Sequence, residues 1–529
     1  MAGGKQPFNI FKLNRGDDPK EVLNWRLWLA VFSFGLMGAA RGVDEGLISG
    51  TLSSAHFRRN LGIDSPDQIS KEEYANIKAN ISAMVQIGSV AGAGLAFLLC
   101  DRIGRLWATR QLCLIWIIGI VIFLTNDGRL GQVYAGRFIA GLGIGQTTVV
   151  APVYLSEISP KSVRGFCTTT FSGAVYLGIM LAYFASWGSS IHISDKTNTR
   201  WVVPTTLHIM FAGLIFILSF FNYESPRYLV KRGKDEHAIV NLARLRNLPA
   251  DHPAIVGEIA EIQAQLNEEK EATLGLGWKG LIKEMFLMPN NLYRIHIGLL
   301  SQLLSQWSGA QSITIYAPDM FALLGTTGQN EKLFATAIFG VVKLVAALMC
   351  AFFLVDVIGR KRSLAIGIFL QALSMIVGAI VMIYVSGFGW AMGWNTMQYL
   401  LNAEMYPLRI RAISSSLVMC FHFVNQYGNS RAVPNMLLTP GNGGLGPAGT
   451  FWLFTAITIV GGLWAWFFIP ETAGRSLESM DRLFTLKWYQ IGTKGQQEAE
   501  MQQAVESEKM QEEEANRGTA AHTERVGGV

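Results

Sequence analysis

Charged side chains are scarce in this chain, where Asp, Glu, Lys and Arg together make up 16% of the 529 residues. Soluble domains average about 25% charged residues, so this composition excludes an ordinary soluble globular protein. Hydrophobic residues reach 50% and gather into runs of about 20, the length that crosses the hydrocarbon core of a bilayer. Together with 55 glycines and 14 tryptophans, this composition is typical of helices that pack closely in lipid.

Cysteine is also rare, and the five cysteines form no CxxC pair. We interpret them as small packing residues, which argues against a disulfide framework, a metal site or any cofactor held by thiolates. The chain has no HExxH motif, no Walker loop and no convincing nucleophile elbow, so an enzyme and an ATP-driven pump are both disfavoured. Residues 1–24 lack the apolar core of a signal peptide, so we expect the first spanning helix to direct insertion.

The apolar runs predict an all-α membrane protein with twelve transmembrane helices in two bundles of six. The predicted helices are 25–50, 77–100, 106–125, 131–156, 165–187 and 202–221, followed by 294–323, 332–355, 363–380, 381–403, 410–436 and 450–469. The corresponding domains are an N-terminal tail (1–24), a first bundle (25–221), a linker with helices (222–293), a second bundle (294–469) and a C-terminal tail (470–529). Only about 40 residues supply helices 9 and 10, so either both are short or a segment is missing.

The net charge of +6 could indicate a nucleic-acid partner, but the basic residues lie in alternate short loops. Examples are the loops at 102–110, 360–362 and 409–411. This distribution follows the positive-inside rule, which places these loops and both termini in the cytosol. We therefore expect the lipid bilayer, and no nucleic acid, as the surrounding partner.

A loop motif repeats in the two halves, as Asp101-Arg-Ile-Gly104-Arg105 and Asp356-Val-Ile-Gly359-Arg360-Lys361. The first copy has Leu106 where a second basic residue is usual. Further motifs follow in order: Arg137-x-x-Ala-Gly-x-Gly-x-Gly, Glu157 with Arg164-Gly165, Glu224-Ser-Pro-Arg227, Gln306-x-Ser-Gly309, Glu404-x-x-Pro-x-Arg409-x-Arg411 and Pro470-Glu471-Thr-x-Gly474. Their joint order resembles the sugar porter family of the major facilitator superfamily, in its fungal branch, over residues 25–485. The resemblance implies a monomeric secondary transporter with two pseudo-symmetric bundles, expected in the plasma membrane.

Acidic and basic residues recur at the cytosolic helix ends of both halves, where they could pair across the halves and hold an inner gate shut. The predicted gate residues are Asp101, Arg105, Glu157, Arg164, Glu224, Arg227, Asp356, Arg360, Glu404, Arg411 and Glu471. Ordinary solvated loop charge is the alternative. The glycine spacing from Gly141 to Gly145 lies inside an apolar helix, so we predict close helix packing there and no phosphate site.

Asp44 falls within predicted helix 1, where a buried carboxylate must be paired or protonated. Arg137 begins the apolar stretch of helix 4 and is the best partner. In proton-coupled members of the resembled family, an Asp in helix 1 and an Arg in helix 4 form such a pair. The resemblance therefore implies that Asp44 and Arg137 couple proton binding to conformational change; a permanent structural ion pair is the alternative.

A sugar pocket needs side-chain amides for hydroxyl groups and an aromatic face for the ring. The predicted substrate residues are Ser172, Gln306, Gln311, Tyr316, Lys343, Trp394, Asn395, Tyr399, His422 and Asn425. Lys343 and His422 are included because both fall near the membrane midplane, where a basic residue indicates a functional site. Several of the usual amides are altered. Lys343 is either a substrate group or part of an internal ion pair, and His422 is either a proton relay or a structural histidine.

The sequence thus predicts import of a monosaccharide by proton symport. A sugar acid or quinate-like polyhydroxy carboxylate is the alternative substrate, because Lys343 and Arg41 would suit its negative charge. A passive facilitator and a nutrient sensor remain as further alternatives with the same fold.

Overall fold

The computed structural model describes residues 19–64, 69–160, 163–273, 278–350, 359–377, 380–395, 405–471, 483–484 and 490–492. Every regular element within these ranges is a helix. The α-helices are α1 (Trp25–Ser53), α2 (Ala55–Asn60), α3 (Lys71–Ile103), α4 (Arg105–Leu124), α5 (Leu130–Ile158), α6 (Arg164–His192), α7 (Thr199–Thr205), α8 (Leu207–Leu218), α9 (Pro226–Lys231), α10 (Asp235–Arg246), α11 (Pro253–Thr273), α12 (Trp278–Leu287), α13 (Pro289–Trp307), α14 (Ala310–Ile315), α15 (Ala317–Leu323), α16 (Gln329–Met349), α17 (Arg360–Val377), α18 (Ile380–Trp390), α19 (Leu408–Met436) and α20 (Gly446–Phe468). A π-helical turn, Ala391–Asn395, continues α18.

The described helices form twelve rods that follow the predicted order. The first six are α1, α3, α4, α5, α6 and the pair α7–α8; the second six are α13–α15, α16, α17, α18 with its π turn, α19 and α20. Within the described ranges, eight helices are long and apolar enough to cross a membrane by length and hydropathy alone. The others include the seventh rod, which is broken, and α19, which is rich in polar residues.

The sequence predicted the seventh rod as one helix over 294–323, but the structure shows it broken into three helices, α13, α14 and α15. α13 ends at Trp307, and Gly309 has a φ of +86°, a left-handed conformation that side chains with a Cβ disfavour. A Cβ at Gly309 would also overlap the ring of Phe454. The break exposes the carbonyl oxygen of Ser308, which accepts a hydrogen bond of 3.1 Å from Nε2 of Gln371. A sequence pattern of hydrophobicity alone does not reveal this interruption.

The ninth and tenth rods occupy the segment that the sequence marked as short. α17 has 18 residues, and α18 with its π turn covers 380–395. At 1.5 Å per residue the described parts of these rods are about 24–27 Å long, and they pack directly against each other. Residues 378–379 and 396–403, which the predicted helices 9 and 10 also include, lie outside the described residues.

Glycines allow the helices of the first half to approach at backbone distance. A Cβ at Gly141 would overlap the carbonyl oxygen of Val85 on α3, and one at Gly145 would overlap that of Ser89. The prediction of close packing at this glycine series is confirmed. The contact between α1 and α6 uses the same device, because a Cβ at Gly42 would overlap the carbonyl oxygen of Val175.

The two halves meet along α3 with α19 and along α6 with α16. The helices α9–α12 lie at the end of the bundle where α1 begins, which we call the linker end. There Nδ2 of Asn24 donates to the carbonyl oxygen of Leu245 (2.8 Å), and Arg246 pairs with Glu258 (2.6 Å). Nη1 of Arg246 also donates to the carbonyl oxygen of Ile158 (2.7 Å), so the linker is attached to the end of α5.

Candidate functional site

A small cavity lies between the two halves. It is lined by Arg41, Glu45, Val175, Tyr176, Ile179, Gln306, Gln311, Lys343, Trp390, Asn395 and His422. Both bundles contribute, because Arg41 and Glu45 belong to α1 whereas Lys343 belongs to α16. A ligand at this place would contact both halves at once.

Half of the predicted substrate residues line this cavity, namely Gln306, Gln311, Lys343, Asn395 and His422. Ser172, Tyr316, Trp394 and Asn425 do not. The hydroxyl of Tyr316 donates to the carbonyl oxygen of Ser430 (2.8 Å), and Oδ1 of Asn425 accepts from Trp307 (3.3 Å). These two side chains join helices of the second half instead. Tyr399 lies outside the described residues.

Three amide groups at the cavity have unused hydrogen-bonding atoms among the described residues. They are Oε1 of Gln306, Nε2 of Gln311 and Nδ2 of Asn395. Leaving a buried polar atom without a partner costs about 1–3 kcal/mol. A ligand that carries several hydroxyl groups would supply the missing donors and acceptors.

Lys343 brings a cation to the cavity and is 1% exposed. Its Nζ donates to Oγ1 of Thr314 (2.5 Å) and lies 5.1–5.6 Å from the ring centres of Phe339 and Tyr176. Among the described residues, no carboxylate lies within 4.0 Å of this amine, so the internal ion pair considered from the sequence is not formed there. An anionic ligand group would compensate the buried charge.

A second charged cluster, which sequence reasoning did not assemble, joins α1 to α19. Nη2 of Arg41 lies 3.4 Å from Oε1 of Glu45 and 3.1 Å from Nε2 of His422. Because arginine only donates, Nε2 of His422 accepts, and its Nδ1 lies 2.8 Å from Oε1 of Gln302 and 3.3 Å from Nε2 of Gln306. Nε2 of Gln426 donates to the same Glu45 oxygen (3.3 Å). This arrangement requires a neutral imidazole at His422.

The structure brings Asp44 and Arg137 together, as the sequence predicted. Oδ1 of Asp44 is 2.6 Å from Nη1 of Arg137, and both side chains are 3% exposed. His208 on α8, a residue not predicted from the sequence, places its Nε2 4.0 Å from the same carboxylate oxygen. A single histidine in an apolar run gives no sign of its neighbours, which explains why the pattern did not reveal it.

The repeated loop motif builds the same helix cap in both halves. Oε1 and Oε2 of Glu224 accept the backbone N–H groups of Arg105 (3.0 Å) and Leu106 (3.2 Å) at the start of α4. Burial raises the pKa of Glu224, although these backbone hydrogen bonds act in the opposite direction. Glu471 accepts the N–H groups of Arg360 (3.0 Å) and Lys361 (3.1 Å) at the start of α17. A carboxylate at a helix N-terminus complements the exposed N–H groups.

Asp101, Arg105 and Glu157 pair with partners in the first bundle and in the linker, whereas the sequence suggested pairing across the halves. Arg105 contacts Glu157 (2.7 Å) and Asp101 (3.3 Å). Asp101 also pairs with Lys231 of the linker (2.6 Å), a partner missed from the sequence. Arg227 belongs to the short linker helix α9. Asp356, Glu404 and the side chains of Arg164 and Arg411 lie outside what the structure describes.

The end of the bundle opposite the linker is closed by contacts between the halves. Nζ of Lys78 is 2.6 Å from Oδ2 of Asp319. Nδ2 of Asn435 donates to Oδ1 of Asn76 (2.9 Å), and Nε2 of Gln329 donates to the carbonyl oxygen of Ser53 (2.9 Å). These contacts hold the two halves together at this end of the bundle.

We expect Lys78→Gln to weaken this closure and favour the conformation open at that end. Asp319 is 44% exposed, so the pair should contribute only about 0.2–1 kcal/mol. The expected result is a fall of up to about fivefold in the half-saturation constant for substrate on that side. Asp319→Asn should do the same, and the double variant should add nothing further; fully additive effects would show that the pair is not a unit.

Comparison with known proteins places these features in context. A family described as "Sugar (and other) transporter" matches residues 30–484. Two similar proteins, each named "Probable quinate permease", come from Aspergillus flavus (31% identity over 502 residues, 90% of this chain and 91% of that protein) and Neosartorya fischeri (30% over 491 residues, 88% and 89%).

Solved structures share the fold. The proton:xylose symporter XylE bound to 6-bromo-6-deoxy-D-glucose matches with a TM-score of 0.72 at 22% identity, over 87% of this chain and 99% of that one. The partially occluded inward open conformation of the xylose transporter XylE from E. coli gives 0.71 at 21% identity, over 86% and 100%. At this identity the likeness establishes the fold alone.

Proposed function

The chain belongs to the sugar transporter family of the major facilitator superfamily, and from that premise we propose that it imports a monosaccharide by proton symport through alternating access. The predicted fold class is confirmed, because the all-helical architecture matches transporters of this superfamily. The family consists of transporters, so the chain is a multi-pass membrane transport protein and not an enzyme. We propose in addition that the protein lies in the plasma membrane with both termini in the cytosol.

The central cavity is the observation that carries this proposal. Its unused amide atoms at Gln306, Gln311 and Asn395 offer both donors and acceptors, which is the combination that ring hydroxyl groups need. The rings of Tyr176 and Trp390 supply an apolar face for the substrate ring. Because the lining comes from both halves, a bound substrate can influence how the halves move against each other.

Proton coupling is supported by the buried pair of Asp44 and Arg137. Protonation of Asp44 would end its ion pair with Arg137, and the two helices α1 and α5 would lose a short contact of 2.6 Å. A proton bound at this place therefore changes the relative energy of conformations that pack α1 and α5 differently. If Asp44 stays ionised and paired with Arg137 throughout the transport cycle, the same cavity would serve a passive facilitator.

A quinate-like or sugar-acid carboxylate is a second candidate substrate, and one specific observation favours it. Lys343 is buried at the cavity and has no carboxylate within 4.0 Å among the described residues. A substrate carboxylate would compensate this charge through a charge-assisted hydrogen bond. The names of the two fungal relatives agree with such a substrate.

The test is uptake of labelled glucose, xylose, fructose, galacturonate and quinate at acidic and neutral external pH, with and without a protonophore. The host would be a yeast that lacks its own sugar carriers. Accumulation that the protonophore abolishes would support symport and identify the substrate class. Uptake without accumulation would indicate a facilitator, and absence of any uptake despite protein at the cell surface would indicate a sensor.

We expect Lys343→Gln to discriminate between the two substrate classes. Loss of a charge-assisted hydrogen bond costs about 1.5–3 kcal/mol, so the half-saturation constant for an acid should rise about 10–100-fold. The constant for a neutral sugar should change much less. Lys332→Gln, at the other end of α16, is the matched control. Equal losses for acids and sugars would contradict a role of Lys343 in binding a carboxylate.

A further inference from the structure

Asp44 and Glu45 are adjacent buried carboxylates that have different surroundings. Neighbouring residues on a helix point about 100° apart, so the two side chains of α1 leave it in different directions. Asp44 contacts Arg137 of α5 inside the first half. Glu45 lines the central cavity and contacts Gln426 of the second half. A change in the packing of α1 and α5 therefore affects Asp44, whereas a ligand in the cavity affects Glu45.

The contacts of Glu45 are long for an ionised carboxylate. Its Oε1 lies 3.4 Å from Nη2 of Arg41 and 3.3 Å from Nε2 of Gln426. Charge-assisted hydrogen bonds are usually about 2.7–2.9 Å long, and the contact of Asp44 with Arg137 is 2.6 Å. The same Arg41 nitrogen is shared with Nε2 of His422 at 3.1 Å. Protonation of Glu45 would weaken these two long contacts.

The charged and titratable groups around Glu45 come from three other helices as well as from α1. They are Arg41 and Asp44 on α1, Tyr176 and Tyr183 on α6, Lys343 on α16 and His422 on α19. The Tyr183 hydroxyl donates a hydrogen bond to the carbonyl oxygen of Thr314 (2.6 Å). His422 accepts from Arg41, which requires its neutral form. With Asp44 balanced by Arg137, the cavity side chains sum to one positive charge while Glu45 is ionised.

An anionic substrate in this cavity would meet the Glu45 carboxylate. Glu45 lines the same small cavity as Arg41 and Lys343, so a substrate carboxylate beside either cation would lie close to Glu45. Two carboxylates that share a confined site favour the form in which one holds a proton. Protonation of Glu45 would also remove a carboxylate from Arg41, whose guanidinium could then turn to the substrate.

We propose that Glu45 is a cavity-facing proton site, separate from Asp44, that takes up a proton when an anionic substrate binds beside Arg41 and Lys343. The inference rests on the proposed proton symport. For a monoanion, one proton at Asp44 and one at Glu45 enter with one negative charge, so each cycle moves one net positive charge inward. A neutral sugar leaves Glu45 ionised and enters with the Asp44 proton alone, which also moves one positive charge.

The experiment measures net charge moved per substrate in liposomes that contain the purified full chain, with quinate and galacturonate as acids and xylose as the neutral probe. For the wild type, we expect one positive charge per molecule of each transported substrate. Glu45→Gln should bring the charge moved per acid to zero and leave the charge per sugar at one. Glu45→Asp, which retains a titratable group, should restore the charge per acid.

Several outcomes would overturn the inference. Acid transport by Glu45→Gln that still moves one positive charge would exclude Glu45 as the second proton site. If Glu45→Gln does not fold, the wild-type protein alone tests the inference. The inference is rejected if the wild type moves no net charge with an acid or transports no acid at all. In that case, proton-coupled uptake of xylose would leave the proposed function intact. Absence of proton-coupled uptake for every probe would instead reject the proposed function itself.

Discussion

Asp44→Asn is expected to abolish uphill accumulation of substrate while substrate exchange across the membrane continues. Asparagine cannot take up or release a proton in the physiological range, so the conformational change would no longer depend on the proton gradient. With one coupled proton, each pH unit of gradient supports about tenfold accumulation, and the variant should show none. The measurement compares net accumulation with counterflow in liposomes that contain the purified protein.

Counterflow also reports whether the variant folds, because Arg137 remains buried without its ionised partner. Removing one member of a buried pair can destabilise a protein by about 3–5 kcal/mol. Asp127→Asn is the matched control, since Asp127 is exposed in the loop between α4 and α5. Full accumulation by Asp44→Asn would exclude Asp44 as the coupling residue. Loss of both accumulation and counterflow would indicate a structural ion pair.

Gly42→Ala is expected to have the second large effect, on the assembly of α1 with α6. A Cβ at Gly42 would overlap the backbone carbonyl oxygen of Val175, and no side-chain rotation can relieve a clash with backbone. The helices would have to separate, and overpacking of this kind costs about 1–3 kcal/mol or more. Because α1 carries both Asp44 and Glu45, transport should fall together with stability.

Thermal unfolding of the purified variant in detergent tests this expectation. Gly173→Ala on α6 is the matched control, because a Cβ there meets no atom within 4 Å. The control should unfold at or slightly above the wild-type temperature, since alanine favours the helix. Equal unfolding temperatures for Gly42→Ala and the wild type would contradict the close approach of α1 and α6.

The sequence predicted the helices well because a membrane demands long apolar runs. It failed at the seventh rod, where Gly309 interrupts a helix that the pattern predicted to be continuous. It also underestimated α3, which begins at Lys71 and not near residue 77. The first turns of this helix, Lys71-Glu-Glu-Tyr, are polar and continue beyond the hydrocarbon core, so hydropathy does not mark them.

Site prediction depended on how unusual each residue was in its surroundings. Asp44 and Arg137 were recognisable because charges are costly inside apolar helices. Glu45 was obscured by its neighbour, since sequence alone does not show which way each carboxylate points. Tyr316 and Asn425 have the right chemistry for a sugar pocket, but their hydrogen bonds within the second half depend on tertiary packing. The caps formed by Glu224 and Glu471 likewise depend on contacts across more than 100 residues.

The most direct test of the central claim is proton movement during substrate uptake by the purified wild-type protein in liposomes. With no gradient imposed, addition of a transported substrate should make the external medium more alkaline as protons enter with it. Asp44→Asn should transport by exchange without this change. Substrate uptake by the wild type without any proton movement would contradict the account and identify the protein as a passive facilitator.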